Sequence, residues 1–243
     1  MMLRTALLDH PLVKKVMAQN RIFIKEAWEY VDGNRRQLRP ATATEQLAWD
    51  LANTIGEILW ACRQLHFASD LLSGYRKATA PEEMSRYDHI VYGIENYYIR
   101  FAMIYDRCLK LTNIVFDLGL PPRECRATTV IQNQHIRRTR VASALKAIDK
   151  VTGKHREHRH RIIHSETYHE KDLEPIGTFC LINPEEDDEL WTFRYYVKTV
   201  TDRFVSDKQK EFAQSTADLE NKIAVLFDSL MPYTCHRLGI SNG

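Results

Sequence analysis

A chain of 243 residues with 44% hydrophobic and 27% charged residues is long enough to bury one good core and too balanced in composition for disorder, collagen-like sequence or membrane spans. Its formal net charge of +2 excludes nothing, but the distribution is uneven. Arg123 to His164 carries eleven Lys/Arg against three acids, whereas Glu185 to Glu189 reads EEDDE, an acidic run expected in a solvated loop.

The N-terminal stretch MMLRTALLDHPLVKK has only Ala6 to Leu8 as an apolar run, too short for a signal-peptide core, so a cytoplasmic protein is expected. Cys62, Cys108, Cys125, Cys180 and Cys235 are odd in number and form no CxxC pair, which fits reduced thiols rather than a disulfide or zinc framework. Residues 1–40 contain LVKKVM and IFIKEAWEYV, readable as short helices or, for the second, as a strand. They are taken as an N-terminal extension on a domain spanning 41–238.

From residue 42 the helical signals are stronger. Thr42 to Glu45 (TATE) fits a capping box, and Leu47, Leu51, Ile55, Ile58, Cys62, Leu65 and Leu72 recur at helical spacing up to Gly74. Thr79 with Glu82 offers a second box, with Pro81 between them. A long stripe follows through Tyr87, Ile90, Val91, Ile94, Tyr97, Phe101, Ile104, Cys108, Leu111 and Val115, closed by Gly119, Pro121 and Pro122. Ile131, Val141, Leu145 and Ile148 mark a third helical segment, with a break at Gly153.

A short polar helix over about 154–168 comes next. Then Trp191, Phe193, Tyr195 and Val197 alternate opposite Phe179 and Leu181, which predicts a hairpin over 176–198. A last helix carries Phe212, Leu219, Ile223, Leu226 and Leu230 up to Pro232. The expected fold is mainly all-α: an antiparallel bundle of about five helices with a small β-hairpin insertion.

The polar segment KHREHRHRIIHSETY holds the chemistry. Only Ile162 and Ile163 suit a core, and His155, His158, His160, His164 and His169 fall within fifteen residues. Four readings fit these residue types. His160 and His164, at i and i+4, share a face as two zinc ligands do, although no glutamate follows His160 and no third ligand is recognisable by spacing, so no metal and no cofactor is assigned. Solvated surface charge is the second reading, and passive contact with nucleic-acid phosphates is the third. The fourth is catalysis.

The catalytic reading has a family behind it. Arg159-His160-Arg161-Ile162-Ile163-His164 matches the R-[N/H/D]-x-x-x-H pattern and resembles that of HEPN domains, in which the motif lies on a late, polar helix after longer amphipathic ones. The segment IENYYIRFAMIYDRCLKLTNIVFDLGLPP resembles the long core helix of a little-characterised bacterial group of that superfamily, and the similarity spans roughly residues 42–235.

The resemblance implies a metal-independent endoribonuclease, with His164 as the proton-transfer group, Arg159 as the phosphate clamp, and His160, Arg161 and Arg156 supporting or touching substrate. Histidine titrates near neutrality and an arginine fork matches a phosphate, so the residue types suit the task. Arg159 and His164 lie about 140° apart on a straight helix, which a HEPN-like homodimer with two facing helices resolves. Tyr168, Arg137, Arg138 and Arg140 are expected in ordinary packing or solvated roles. RNA, a second copy, and an antitoxin or regulatory partner are the implied partners, in a toxin-like or anti-phage effector with no membrane contact. The alternative is a non-catalytic HEPN-like module for nucleic-acid or nucleotide binding or for assembly.

Overall fold

The computed structural model describes residues 5–33, 40–76, 78, 80–81, 84–164, 167–168, 170–182 and 191–241. Among them every regular element is helical. A 3-10 turn (Ala6–Asp9) precedes α1 (Pro11–Val31), α2 (Ala43–Leu71), α3 (Arg86–Phe116), α4 (Ala127–Gln132), α5 (Arg140–Gly153), α6 (Arg156–His164), α7 (Glu174–Ile182) and α8 (Trp191–Leu238). No helix of the described residues is long and apolar enough to cross a membrane.

Local chemistry sets the helix starts. Pro11 occupies the first turn of α1, where its missing N–H costs nothing, and the ring of His10 accepts from the Leu12 amide at 3.1 Å. The segments LVKKVM and IFIKEAWEYV, open between short helices and a strand, thus lie on one 21-residue helix. At α2 the expected box forms in both directions: the Thr42 amide donates to Glu45 Oε2 at 2.9 Å and the Glu45 amide to Thr42 Oγ1 at 3.2 Å. Thr79 and Glu82 lie outside the described residues. The start of α3 is capped by Ser85 and Asp88, which exchange the same pair of bonds at 2.9 and 3.1 Å.

The chain forms two compact units, and α2, α3 and α8 contribute a segment to each. One unit comprises residues 1–62, 103–151 and 219–243. Its core gathers Leu12 and Val16 of α1, Leu51, Ile55 and Ile58 of α2, Ile104, Cys108 and Leu111 of α3, Val141, Leu145 and Ile148 of α5, and Ile223, Leu226 and Leu230 of α8. Asn20 ties α1 to α2 by donating to the Ala48 carbonyl at 2.8 Å.

The other unit comprises residues 63–102 and 152–218 and contains α6. Its core is more aromatic: Tyr97, Tyr98 and Phe101 of α3 meet Phe212 of α8, and Tyr97 stacks on Phe212 with centroids 3.7 Å apart. Tyr97 keeps its hydroxyl satisfied by donating to the Phe212 carbonyl at 3.0 Å. The turn that follows α2 approaches α3 closely at Gly93, where a Cβ would sit 2.7 Å from Leu72 Cδ2.

Two expectations are corrected. Residues 176–182 and 191–198 are helical, so the hairpin does not form, and its acidic turn at 184–189 lies outside the described residues. Period-2 alternation over seven residues misled because the true buried stripe of α8 runs Val197, Thr201, Phe204, Val205, Lys208 and Phe212, at helical spacing, while Phe193 and Tyr195 remain exposed. Phe179 and Phe193 do meet, 5.1 Å apart, but as neighbours on α7 and α8. Nor does the last helix stop at Pro232, which α8 passes on its way to Leu238.

Candidate nucleic-acid cleavage site

Helix α6 buries none of its nine residues. What fixes it is a set of rings at its base. His155, one residue before the helix, is buried between Tyr98 (centroids 4.9 Å) and the edge of Phe101 (5.0 Å). His158 lies flat on the same Tyr98, at 4.8 Å with planes 11° apart. Beyond the helix, buried Tyr168 approaches Tyr98 at 5.5 Å and His158 at 5.8 Å. The expectation that Ile162 and Ile163 supply the apolar contact fails for Ile163, which is exposed.

Hydrogen bonds lock this base. The Tyr168 amide donates to Glu95 Oε1 at 2.7 Å, and its hydroxyl donates to Glu170 Oε2 at 2.5 Å. Glu170 in turn pairs with Lys208 Nζ at 3.0 Å, and Lys208 reaches Glu211 at 2.9 Å. The cluster therefore joins α3, the segment that follows α6, and α8 through paired groups rather than through apolar surface alone.

Burial sets the protonation of these groups. It pushes the His155 imidazole down to about 4, an effect that His158, Lys154 and Lys208 add to and Glu211 opposes. Tyr98 and Tyr168 are raised, chiefly by burial, so both phenols stay protonated at neutral pH. For Lys208 burial works downward, yet Tyr98 and the bonds to Glu211 and Glu170 outweigh it and the amine is raised overall.

The motif residues divide around the helix. At 100° per residue, His158, Arg159 and Ile162 fall on the inner flank, and all three are partly buried. The Arg159 Nε is enclosed and has no hydrogen-bond partner among the described residues. His160 and His164 point outward, exposed, with ring centroids 4.7 Å apart. Arg156 and Arg161 are exposed as well. One chain thus brings His160 and His164 together and leaves Arg159 on a different side. A crevice of about 10 Å³ beside the helix is lined by His158, Arg161, Ile162, Thr167 and Tyr168.

Among the described residues no group of three or more His, Cys, Asp or Glu is arranged to hold a metal ion. Burial disfavours the thiolate at two core thiols: it raises Cys62, and it pushes Cys108 up to about 12.

Sequence reasoning did not single out Glu95, Tyr98, Glu170 and Lys208. Lys208 had a readable signal, since it sits four residues from both Phe204 and Phe212 on a stripe otherwise free of charge. Tyr98 and Glu95 had none, because their roles depend on contacts with residues about sixty to seventy positions away.

A chain whose described regular elements are all helical and which carries an Arg-His-x-x-x-His helix on an aromatic base agrees with the resemblance drawn from the motif. Residues 47–232 match the family model for Cthe2314-like HEPN, and the chain belongs to that family of the HEPN superfamily. The match runs from α2 into α8 and includes all of α6. No curated protein and no solved structure was found to match.

Proposed function

We propose that the protein is a metal-independent endoribonuclease acting as a homodimer, with residues 41–238 as the HEPN-like domain and 1–40 as its extension. The observation that carries this reading is the state of the motif: His164 is exposed, and the enclosed Arg159 Nε has no partner among the described residues. A motif kept for packing would instead spend both groups on a buried ion pair.

In this reaction His164 of one copy takes the proton of a ribose 2′-hydroxyl, whose oxygen then bonds to the adjacent phosphorus. The bond from phosphorus to the 5′-oxygen breaks, and a protonated imidazole returns a proton to that oxygen. Arg159 neutralises the crowded phosphate, with His160, Arg161 and Arg156 contacting the strand. Because Arg159 and His164 leave one helix on different sides, two facing α6 helices are what converge them on one phosphate.

Such an enzyme suits a cytoplasmic toxin-like or anti-phage effector restrained by an antitoxin or regulatory partner. The exposure of Arg156, His160, Arg161 and His164 also suits a second reading, a non-catalytic module that binds nucleic acid or nucleotides or assembles with a partner. Incubating the purified chain with total RNA in EDTA separates the two: the ribonuclease generates fragments with 2′,3′-cyclic phosphate ends, whereas the binding module leaves the RNA intact.

A further inference from the structure

The outward face of α6 carries a second arrangement that phosphodiester cleavage does not require. His160 and His164 are one turn apart, both exposed, with ring centroids 4.7 Å apart and planes inclined at 50°. Zinc bound tetrahedrally by two imidazole nitrogens at about 2.0–2.1 Å holds the two ring centroids about 5 Å apart. The observed pair already has that spacing, so chelation asks for rotation of the two side chains and no backbone movement. Imidazole suits zinc and other late first-row divalent ions, and two imidazoles leave the remaining positions to water or to phosphate oxygen.

The surroundings are mixed in charge. Glu157, the only acid of α6, lies one turn before His160 on the same outward stripe, and Arg156 and Arg161 flank it. All are exposed, so their repulsion or attraction is screened by water and salt. Both residues occupy constrained positions of the HEPN-like motif, but only His164 is its proposed proton-transfer group. Its ring nitrogen is the same atom that a metal would take.

We infer that His160 and His164 form a two-imidazole site for a divalent transition metal, with Zn²⁺ as the probe, and that occupancy switches the ribonuclease off by capturing His164. The metal here is a regulator and not a cofactor: it removes the lone pair that would accept the 2′-hydroxyl proton. The inhibitory half rests on the ribonuclease reading; the binding half does not.

The test is a calorimetric titration of Zn²⁺ into the metal-stripped full chain, with circular dichroism confirming that each variant is folded. One Zn²⁺ per chain is expected. Even outer-shell partners of a metal typically contribute 10–100-fold to affinity, so His160→Gln and His164→Gln should each weaken binding by at least about tenfold. His135→Gln, an exposed histidine elsewhere, should leave it unchanged. Binding untouched by both α6 substitutions, or no binding up to millimolar Zn²⁺, overturns the site. Wild-type RNA cleavage is then followed with and without one equivalent of Zn²⁺: loss of cleavage that EDTA restores supports the switch, and undiminished cleavage overturns it. Zn²⁺ binding through the pair in a chain that cuts no RNA under any condition supports the site and overturns the ribonuclease reading.

Discussion

His158 stacks on Tyr98 with planes 11° apart, and Tyr98 is at the same time in ring contact with His155, Tyr168 and Phe212. A helix with no buried residue is therefore held at its base around one tyrosine of α3, which His155, His158 and Tyr168 all meet. Removing Tyr98 as alanine should cost about 3–5 kcal/mol, the usual range for deleting a buried aromatic ring. His158→Ala, which removes a half-buried partner, should cost about 1 kcal/mol. Urea unfolding of the two variants checks the ranking, and equal costs would refute the central role of Tyr98.

Acid should act through His155. Its folded-state pKa is depressed from 6.5 to about 4, so the neutral imidazole is favoured in the fold and protonation favours the unfolded chain. The sign follows: this contribution is complete above pH 6.5, shrinks as pH falls from 6.5 towards 4, and is gone below that, amounting to at most about 3 kcal/mol. Unfolding midpoints measured between pH 7 and pH 4 should fall, and His155→Phe should flatten that part of the profile.

Lys208 behaves in the opposite direction. Its pKa is raised in the fold, so its contribution is present throughout the range below the ordinary lysine value of 10.5 and is lost only as pH climbs through the folded value. Substituting Lys208→Met leaves Glu170 and Glu211 without their shared cation. Breaking a buried pair costs about 3–5 kcal/mol, but Glu170 and Glu211 are partly exposed, which reduces the expected loss to about 2 kcal/mol at neutral pH. A second substitution, Glu170→Gln in the Lys208→Met background, should recover part of it, and a urea double-mutant cycle measures the coupling.

Much of the fold was legible because helix caps and apolar stripes are local. The Thr42–Glu45 box and the buried stripe from Ile90 to Val115 appear where spacing placed them. The motif was legible for the same reason: six residues on one helix need no tertiary information. The aromatic base was not, since His155 and His158 look like solvated charge until Tyr98 covers them. The hairpin failed on a related ambiguity, because seven residues of alternating apolar character fit a strand, and only the longer register from Val197 to Phe212 shows the helix.

The proposed active form is a pair of chains, because Arg159 and His164 leave α6 on different sides. Multi-angle light scattering at micromolar concentration should report about twice the chain mass of 28.4 kDa. A persistent monomer that still cuts RNA would defeat the composite site.

The last prediction separates folding from cleavage at the motif itself. Arg159 is only partly buried and His164 is exposed, so Arg159→Ala and His164→Ala should change stability by no more than about 1 kcal/mol. Loss of a positioned acid–base group typically slows a reaction by about 10²–10⁴-fold, and that is the expected effect of His164→Ala on RNA cleavage. Arg159→Ala should also weaken RNA binding and make it less steeply dependent on salt, since each lost phosphate contact lowers the slope by about 0.7 for single strands. Because the 2′-hydroxyl is the proposed nucleophile, an all-deoxy strand of the same sequence should resist the wild-type chain, and a single ribose should restore one cut at that position. Cleavage of the all-deoxy strand, or undiminished activity in folded His164→Ala, would remove His164 from the reaction and leave the binding-module reading in its place.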